Sequence, residues 1–247
     1  MELKLRIYQD LSALSQAAAE SVCAALVQAV QLQGSASIAL SGGSTPAALY
    51  QLLAAEPYAA QIPWGRVRFF WGDERCVPPS EEGSNFKQAN DLLLSRVAAP
   101  PENIHRVRGE LPPAEAAAEY AQVLAHNAAN GLQWPRLDVV LLGLGEDGHT
   151  ASLFPGAISD AEKTQSALAV TANYQGRPAH RVTLTPRVFN EARQVLFLVT
   201  GAGKAEAVRA VLKGYADPER WPASRIRPTT GTVTWMLDKA AASLIQQ

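Results

Sequence analysis

Two acidic residues and a histidine follow an apolar segment near the middle of the sequence. Five apolar residues lie between Val139 and Leu144, and the loop behind them contains Glu146, Asp147 and His149 among closely spaced glycines. An unbroken apolar run of this length is typical of a strand that is buried on both faces of a parallel sheet. Ligands of such sheets bind beyond the carboxyl ends of the strands, so we interpret this loop as a candidate catalytic site rather than a plain turn.

His149 is the residue of this loop best suited to move a proton. An imidazole titrates at about pH 6.5, so it can accept a proton from water and return it later in the same reaction. A neighbouring carboxylate could orient the ring. The spacing leaves open whether that carboxylate belongs to Asp147 or to Glu146.

A second glycine-rich loop follows a predicted strand at 37–40 and precedes a predicted helix. Its residues are Ser41, Gly42, Gly43, Ser44 and Thr45, with Pro46 in the first helical turn. Free backbone N–H groups and the positive end of the helix dipole would attract an anion, and the hydroxyls add donors. The loop lacks the GK[ST] ending of a nucleotide-binding P-loop, so it predicts a phosphate site without a nucleoside triphosphate. An ordinary capped helix is the simpler alternative.

Charged residues also follow the predicted strand Val67–Trp71. Asp73 and Arg75 come directly after it, and Asn85 opens a helix that Ser84 could cap. Because the carboxyl ends of parallel strands meet at one edge of a sheet, we expect these residues to face the same site. A salt-bridged surface turn is the alternative for Asp73 and Arg75.

Two further cations are candidates for holding an anion. Lys204 follows an apolar strand predicted at 194–200 and stands at the start of a helix. A lysine there opposes the helix dipole, so the position is unfavourable unless an anion binds nearby. Arg181, at the start of the RVTLTP segment, is the second candidate. A solvated lysine and a structural arginine are the alternatives.

The chain alternates predicted strands and helices, which indicates an α/β domain with a mostly parallel sheet. We expect helices on both faces of the sheet, because its strand segments are apolar throughout. A chain of 247 residues can form one such domain over residues 1–247. The outer predicted elements are a strand at 3–8, a helix between Asp10 and Gly34, a helix from 113 to about 130, a strand at 168–172, a helix capped by Thr185 and a helix begun by Asp238.

Composition argues against several classes of protein. The net charge is −1 and no block of like charges occurs, so neither nucleic acid nor an anionic membrane is an expected partner. The N-terminal segment lacks a signal-peptide pattern, and we expect no segment to reach the roughly 18 apolar residues of a membrane span. A cytoplasmic protein is therefore expected.

Cofactors and metals are not expected either. Cys23 and Cys76 lie far apart without metal-binding spacing, so we expect neither a disulfide nor a metal site. The GLGEDG segment matches a dinucleotide fingerprint, but Pro155 closes the long helix that the fingerprint requires. We therefore expect no NAD.

Five segments together resemble a known family. They are ALSGGSTP near position 40, FFWGDERCVPPSEEGSNF near 70, LLGLGEDGHTASLFPG near 142, RVTLTPRVFNEA near 181 and LVTGAGKAEAV near 199. In this order they are similar to the 6-phosphogluconolactonases of the bacterial type. Related deaminases carry FNEP where this chain has SLFP, which favours the lactonase form.

The resemblance implies a Rossmann-like fold and hydrolysis of 6-phospho-D-glucono-1,5-lactone to 6-phosphogluconate in the pentose phosphate pathway, without a metal or an organic cofactor. Lactone hydrolysis needs a base for water, donors for the oxyanion and a proton for the departing ring oxygen. We expect His149, Asp147 and Arg75 to be catalytic, with Arg75 at the oxyanion. We expect the phosphate to bind to the 41–45 loop, with Arg181 and Lys204 as cationic contacts. The residues expected to bind the rest of the substrate and its phosphate are Ser41, Gly42, Gly43, Ser44, Thr45, Asp73, Asn85, Arg181 and Lys204.

Two other functions remain open from the sequence. An isomerase or deaminase of the same superfamily would need a carboxylate base and an FNEP-like sequence after His149. A non-catalytic sugar-phosphate sensor would carry a DNA-binding helix-turn-helix, for which we see no spare segment. The expected partner is a small-molecule sugar-phosphate lactone, and the expected state is a monomer or weak homodimer.

Overall fold

A six-stranded parallel sheet forms the centre of the structure, a computed structural model that describes residues 2–129, 131–173, 176, 178–213 and 216–245. The large sheet has the strand order β1-β9-β8-β5-β2-β3. Strand order reverses between β2 and β5, which is the switch point where α/β sheets bind ligands. The described strands are β1 Glu2–Tyr8, β2 Ala36–Leu40, β3 Val67–Trp71, β4 Asp73–Arg75, β5 Val139–Leu142, β6 Ala167–Thr171, β7 His180–Leu184, β8 Gln194–Val199 and β9 Thr232–Asp238.

Helices connect the strands and cover the sheet. Every residue of β2 and β5 is buried, so both faces of these central strands are covered. The predicted α/β fold with a mostly parallel sheet is therefore confirmed. The described α-helices are α1 Leu11–Gln33, α2 Ser44–Leu53, α3 Tyr58–Gln61, α4 Asn85–Leu92, α5 Pro113–His126, α6 Asp160–Thr164, α7 Pro186–Glu191 and α8 Ala205–Leu212.

A smaller antiparallel sheet, with the order β4-β7-β6, branches from β3 at Gly72. Gly72 N–H donates to Leu40 O of β2 at 2.8 Å, whereas Gly72 O accepts from Leu184 N–H of β7 at 2.8 Å. The chain thus changes partner strands at one residue. Asp73–Arg75, for which a salt-bridged surface turn was the alternative, instead form the strand β4, because β7 satisfies their backbone polar groups.

The longest helix, α1, has the predicted ends. Asp10 Oδ1 accepts from Ala13 N–H at 2.9 Å, and Gly34 ends the helix with a left-handed φ of 79°. Among the described residues, α1 is long and apolar enough to span a membrane, contrary to the expectation from the sequence, because Glu20 is its only charged residue. In this structure α1 packs on the protein core, with buried residues that include Leu14 and Leu26.

Helix α7 begins at Pro186 as predicted, whereas one predicted side-chain cap and two other predicted helices differ from the structure. Thr185 precedes α7, but its hydroxyl donates to Gln165 O at 2.8 Å instead of capping the helix. Residues 239–245 form turns instead of the helix predicted to begin at Asp238. Helix α5 ends at His126, short of the predicted end near Asn130, which lies outside the described residues. The Thr185 hydroxyl bonds to a residue twenty positions away, a contact that a local sequence pattern does not contain.

Candidate active site

Loops from four neighbouring strands meet at one edge of the large sheet. Strands β8, β5, β2 and β3 are adjacent, so the segments that follow them come together although they are far apart in sequence. Thr45 Oγ1 and Thr200 Oγ1 are 2.9 Å apart, which joins the loop after β2 to the loop after β8. We call this edge the rim and define it as residues 41–45, 72–75, 143–154 and 200–204.

The loop after β5 brings His149 and Asp147 into contact. Asp147 Oδ1 lies 2.6 Å from His149 Nδ1 and accepts a second hydrogen bond from His149 N–H at 3.2 Å. The loop closes on itself, because Gly145 N–H donates to His149 O at 2.7 Å. The sequence left Asp147 and Glu146 open as partners of the ring, and the contact shown is with Asp147.

Glycine is required where this loop folds tightly. A Cβ on Gly145 would lie 2.0 Å from His149 Nδ1, inside the space that the imidazole occupies. The His149 ring also packs against Phe154, with 5.1 Å between ring centroids. The imidazole side chain is 21% exposed, so it keeps access to solvent while its position is restrained on two sides.

The Ser41–Thr45 loop uses some of its N–H groups within the protein. Ser41 N–H donates to Tyr50 Oη at 3.0 Å, and the Tyr50 hydroxyl donates to Ser41 O at 2.7 Å. Gly43 N–H donates to Gln88 Oε1 at 3.0 Å. The prediction of free N–H groups is therefore wrong for these two residues. The N–H groups of Ser44 and Thr45 in the first turn of α2 have no acceptor within the helix, so the prediction of an anion at this helix start stays a prediction.

Asp73 is buried at the rim between two donors. Asn85 Nδ2 donates to Asp73 Oδ1 at 3.3 Å and to Asp73 O at 2.8 Å, and Ser152 Oγ donates to Asp73 Oδ2 at 2.6 Å. Asn85 also meets Gly42, where a Cβ would lie 1.8 Å from Asn85 Oδ1. Asp73 thus connects α4 with the loop after β5. Ser152 was not among the site residues expected from the sequence, although it belongs to the SLFP segment that distinguished the lactonase form.

Glu74 is a second residue that the sequence analysis missed. It is 2% exposed and accepts four hydrogen bonds. The donors are the N–H groups of Arg75, Asn85 and Phe86 and the hydroxyl of Ser84, at 2.6 to 3.0 Å. Burial raises the pKa of this carboxyl, and the hydrogen bonds oppose the rise. Glu74, in β4, therefore caps the start of α4 and holds Asn85 at the rim. The contact joins residues about ten positions apart, and no local sequence pattern predicts it.

Arg75 and Arg181 are directly opposite each other in β4 and β7. The side chains of residues that are directly opposite project from the same face of a sheet, so the two arginines are neighbours. Arg75 Nη1 donates to Gly83 O at 2.8 Å, and Arg181 is buried with its guanidinium carbon 5.5 Å from the centre of the Phe154 ring. The sequence interpretation placed the two arginines at opposite ends of the substrate, which the register does not support.

Lys204 lies elsewhere on the rim, directly before α8. It ends a short 3₁₀ turn at Ala202–Lys204 and is half-buried. The adjacent Gly203 meets Glu146, since a Cβ there would lie 2.5 Å from Glu146 Oε1. Glu146 therefore faces the loop after β8, and this contact brings Lys204 beside the loop that carries His149.

Several buried polar atoms at the rim have no hydrogen-bond partner among the residues that the structure describes. They include Ser41 Oγ, Arg75 Nε and Asn85 Oδ1. Buried polar atoms are normally paired, so these three are available to a polar ligand. Within the described ranges, no three residues among His, Cys, Asp and Glu form a group that could hold a metal ion.

The fold and the rim define an α/β protein with a glycine-rich helix start and a His–Asp pair at its switch point. A family model described as glucosamine-6-phosphate isomerases/6-phosphogluconolactonase matches residues 9–235. The chain belongs to this family, so the resemblance seen in its sequence is confirmed.

Individual relatives cover almost the whole chain. A 6-phosphogluconolactonase of Nostoc is 40% identical over 246 residues, which cover 98% of each chain. The enzyme of the same name from Haemophilus influenzae is 37% identical over 231 residues, 94% of this chain and 97% of the relative. The solved 6-phosphogluconolactonase of Trypanosoma cruzi has a TM-score of 0.86 at 30% identity and covers 100% of this chain and 99% of its own. A monomeric glucosamine-6-phosphate deaminase, at 23% identity and a TM-score of 0.83, shares the fold.

Proposed function

We propose that this protein hydrolyses 6-phospho-D-glucono-1,5-lactone to 6-phospho-D-gluconate, a step of the oxidative branch of the pentose phosphate pathway. The observation that carries the proposal is the Asp147–His149 contact of 2.6 Å on the same rim as the Ser41–Thr45 loop. Relatives that match nearly the full chain are 6-phosphogluconolactonases, which supports this choice of substrate.

His149 is the general base of the proposed reaction. Asp147 accepts from Nδ1–H, which leaves a lone pair on Nε2 to take a proton from water. The water oxygen bonds to C1, and the bond between C1 and the ring oxygen breaks. The imidazolium then returns its proton to the departing ring oxygen, so water is the only second reactant. The carboxylic acid product ionises in solution.

The phosphate binds at the start of α2 in this proposal, with Arg181 and Lys204 as cationic contacts. Like charges directly opposite each other in a sheet are unfavourable, so a bound dianion would offset the repulsion between Arg75 and Arg181. Their pairing favours a phosphate contact for Arg75 over the oxyanion role expected from the sequence. We assign the sugar hydroxyls to Asp73 and Asn85, because Asn85 Oδ1 has no partner among the described residues and Asp73 lies beside it.

The direct test is lactone opening in a pH-stat, with the spontaneous rate subtracted. Purified protein should accelerate the opening of the phosphorylated lactone and be far less effective on unphosphorylated gluconolactone. A rate equal to the spontaneous one would refute the proposal. Deamination of glucosamine 6-phosphate by the same sample would identify the alternative activity of the family.

A comparison of the two lactones tests the phosphate contacts. Lys204→Ala and Arg181→Ala should each raise KM for the phosphorylated lactone about 10- to 100-fold, since a charged hydrogen bond contributes roughly 1.5–3 kcal/mol. Neither change should matter much for gluconolactone, which lacks the group. Lys163→Ala, at an exposed lysine of α6, is the matched control. Equal losses on both lactones would assign these residues to the fold or the chemistry instead.

We also propose that the protein works in the cytoplasm as a monomer or weak homodimer. The net charge of −1 and the packing of α1 on the core support a soluble protein without nucleic-acid or membrane partners. Sedimentation velocity over a range of concentrations should show one small species. A stable tetramer, or co-sedimentation with lipid vesicles, would contradict this.

A further inference from the structure

The loop that carries His149 is held from outside by a segment near the C-terminal end of the chain. We propose that Trp221 is a positioning residue for His149, and that residues 217–225, which we call the clasp, fix loop 148–156 at both ends. The inference rests on the proposed role of His149 as the base. Its tests include one readout that does not depend on turnover.

Trp221 packs directly against the residue before His149. A Cβ on Gly148 would lie 2.5 Å from Trp221 Cε3, so the indole ring covers the Gly148 backbone. Gly148 O accepts a hydrogen bond from Ala223 N–H at 3.0 Å, also within the clasp. Gly148 has a φ of 82°, and glycine moves freely between backbone conformations. The clasp therefore restrains the most adaptable residue beside the imidazole.

The clasp also holds the far end of the same loop. Gly156 N–H donates to Glu219 O at 2.8 Å, and Arg225 Nη2 donates to Gly156 O at 3.1 Å. Arg225 is itself anchored by a salt bridge of 3.0 Å to Glu162, with side chains only 6% and 10% exposed. An ion pair this buried keeps its geometry, so loop 148–156 is fixed at two points about eight residues apart.

This arrangement predicts a specific kinetic effect. A displacement of about 1 Å in a catalytic group can lower its rate about 10²-fold. Loss of the Trp221 ring frees Gly148 to move and with it the Asp147–His149 pair. The start of α2 and Lys204 are held by other elements, so substrate binding should persist. The effect should therefore appear in kcat and not in KM.

Trp221→Ala and a matched control test the proposal. Trp134 is the control, because it is half-buried and contacts an arginine as Trp221 does. The guanidinium carbon of Arg187 lies 5.2 Å from the Trp134 ring, and that of Arg220 lies 4.6 Å from the Trp221 ring. Trp134 lies away from the rim. Trp221→Ala should lower kcat about tenfold or more with KM within about threefold, and Trp134→Ala should change neither. Trp221→Phe, which keeps a flat ring, should restore most of kcat. Unchanged kcat in Trp221→Ala, or an equal loss in Trp134→Ala, would overturn the proposal.

The NMR signals of the His149 imidazole provide the readout that is independent of turnover. The chain has four histidines, and His149→Ala identifies the signals of this one. Trp221→Ala should shift the signal of the Nδ1 proton shared with Asp147, whereas Trp134→Ala should leave it in place. Unshifted His149 signals in Trp221→Ala would overturn the proposal that the clasp positions His149. Full activity in His149→Ala would instead refute the base role and leave this structural result standing. If Trp221→Ala does not fold, Trp221→Leu takes its place in both measurements, with the same outcomes deciding.

A double-mutant cycle measures the contact itself. Gly148→Ala places a methyl group against the Trp221 ring and strains the backbone, so it should lower kcat in the native background. In the Trp221→Ala background the ring contact at 2.5 Å is gone, and only the backbone strain and the 3.3 Å approach to the Cα of residue 221 remain, so the additional loss should be several-fold smaller. Strictly additive losses would show that Trp221 does not act through Gly148.

Discussion

At the scale of single residues, the contact between Asp147 and His149 decides which atom can act as a base. A carboxylate at Nδ1 stabilises the tautomer with a proton on that nitrogen, and Nε2 is then the acceptor. Neither oxygen of Glu146 is needed for this, since Glu146 lies against Gly203. The division of labour between two adjacent acids thus follows from where the loop after β5 turns.

Replacement of the imidazole tests this role. His149→Ala should lower kcat at least about 10²-fold, because general-base catalysis typically contributes 10²- to 10⁴-fold, while KM changes little. Steady-state kinetics on the phosphorylated lactone measures both constants. His126→Ala, at an exposed histidine of α5, is the control and should behave as the native protein does. An unchanged kcat in His149→Ala would remove the residue from the mechanism.

Cys76 directly follows Arg75 and is a poor nucleophile. Burial and the charge of Glu74 raise the pKa of its thiol to about 11, so at neutral pH the thiol keeps its proton. We expect Cys76→Ser to retain kcat within about twofold. Alkylation by iodoacetamide, followed by mass spectrometry, should be slow at pH 7 and accelerate as the pH rises toward the raised pKa. Rapid labelling at pH 7, or inactivation on labelling, would disagree with this assignment.

At the scale of elements, the short strand β4 organises one side of the rim. It forms because the backbone hydrogen bonds of the chain change from β2 to β7 at Gly72. Its three side chains then contact three different parts of the protein. Asp73 contacts the loop after β5, Glu74 caps α4, and Arg75 lies beside Arg181. A three-residue strand thus contributes a buried carboxylate at the rim, a helix cap and a cation.

Removal of the Glu74 cap should destabilise α4. Glu74→Ala leaves buried N–H groups without an acceptor, so the free energy of unfolding should fall by about 2 kcal/mol or more. Urea unfolding measures this, with the exposed Glu82→Ala as the control.

The stability of the protein should also depend on the titration of Glu74, because the pKa of this carboxyl is raised in the folded state. The protonated carboxyl favours folding at a pH below the pKa that it has in the unfolded chain. This contribution is lost as the pH rises through the pKa of the folded state. The stability of the native protein relative to Glu74→Gln should therefore decrease as the pH rises, and an increase would contradict the shift.

At the scale of the whole molecule, α1 is an apolar helix that passes a compositional test for a membrane span but belongs to the core. Its buried residues recur every three or four positions, and Asp10 and Gly34 end it within the protein. The exposed side includes Leu32, which is 78% exposed. The helix therefore has one face for the sheet and another for solvent.

Two leucines of α1 distinguish its faces. Leu26→Ala should lower the free energy of unfolding by about 2–5 kcal/mol, because Leu26 is fully buried and a cavity would replace it. Leu32→Ala should change it by less than about 0.5 kcal/mol, as is usual at the surface. Thermal and urea unfolding give both values, and kcat of the folded variants should match that of the native protein. Similar losses at the two positions would be inconsistent with the packing of α1.

Sequence alone determined the elements whose signals are local. The apolar segments at Val139–Leu142 and Gln194–Val199, the ends of α1 and the glycine-rich loops were all recognisable, because burial and capping leave a pattern within a few neighbouring residues. The positions of the candidate site residues in loops at strand ends follow from the same patterns. Which of those loops meet follows from the parallel arrangement of the strands.

Only the tertiary structure decided how the side chains of the site are paired. Arg75 opposite Arg181, Ser152 on Asp73, the Glu74 cap and Trp221 on Gly148 all join residues distant in sequence. Strand register and loop contacts minimise the free energy of the whole chain, so no short window of residues specifies them. A single sequence thus defines which groups are available for chemistry, and packing defines which of them act together.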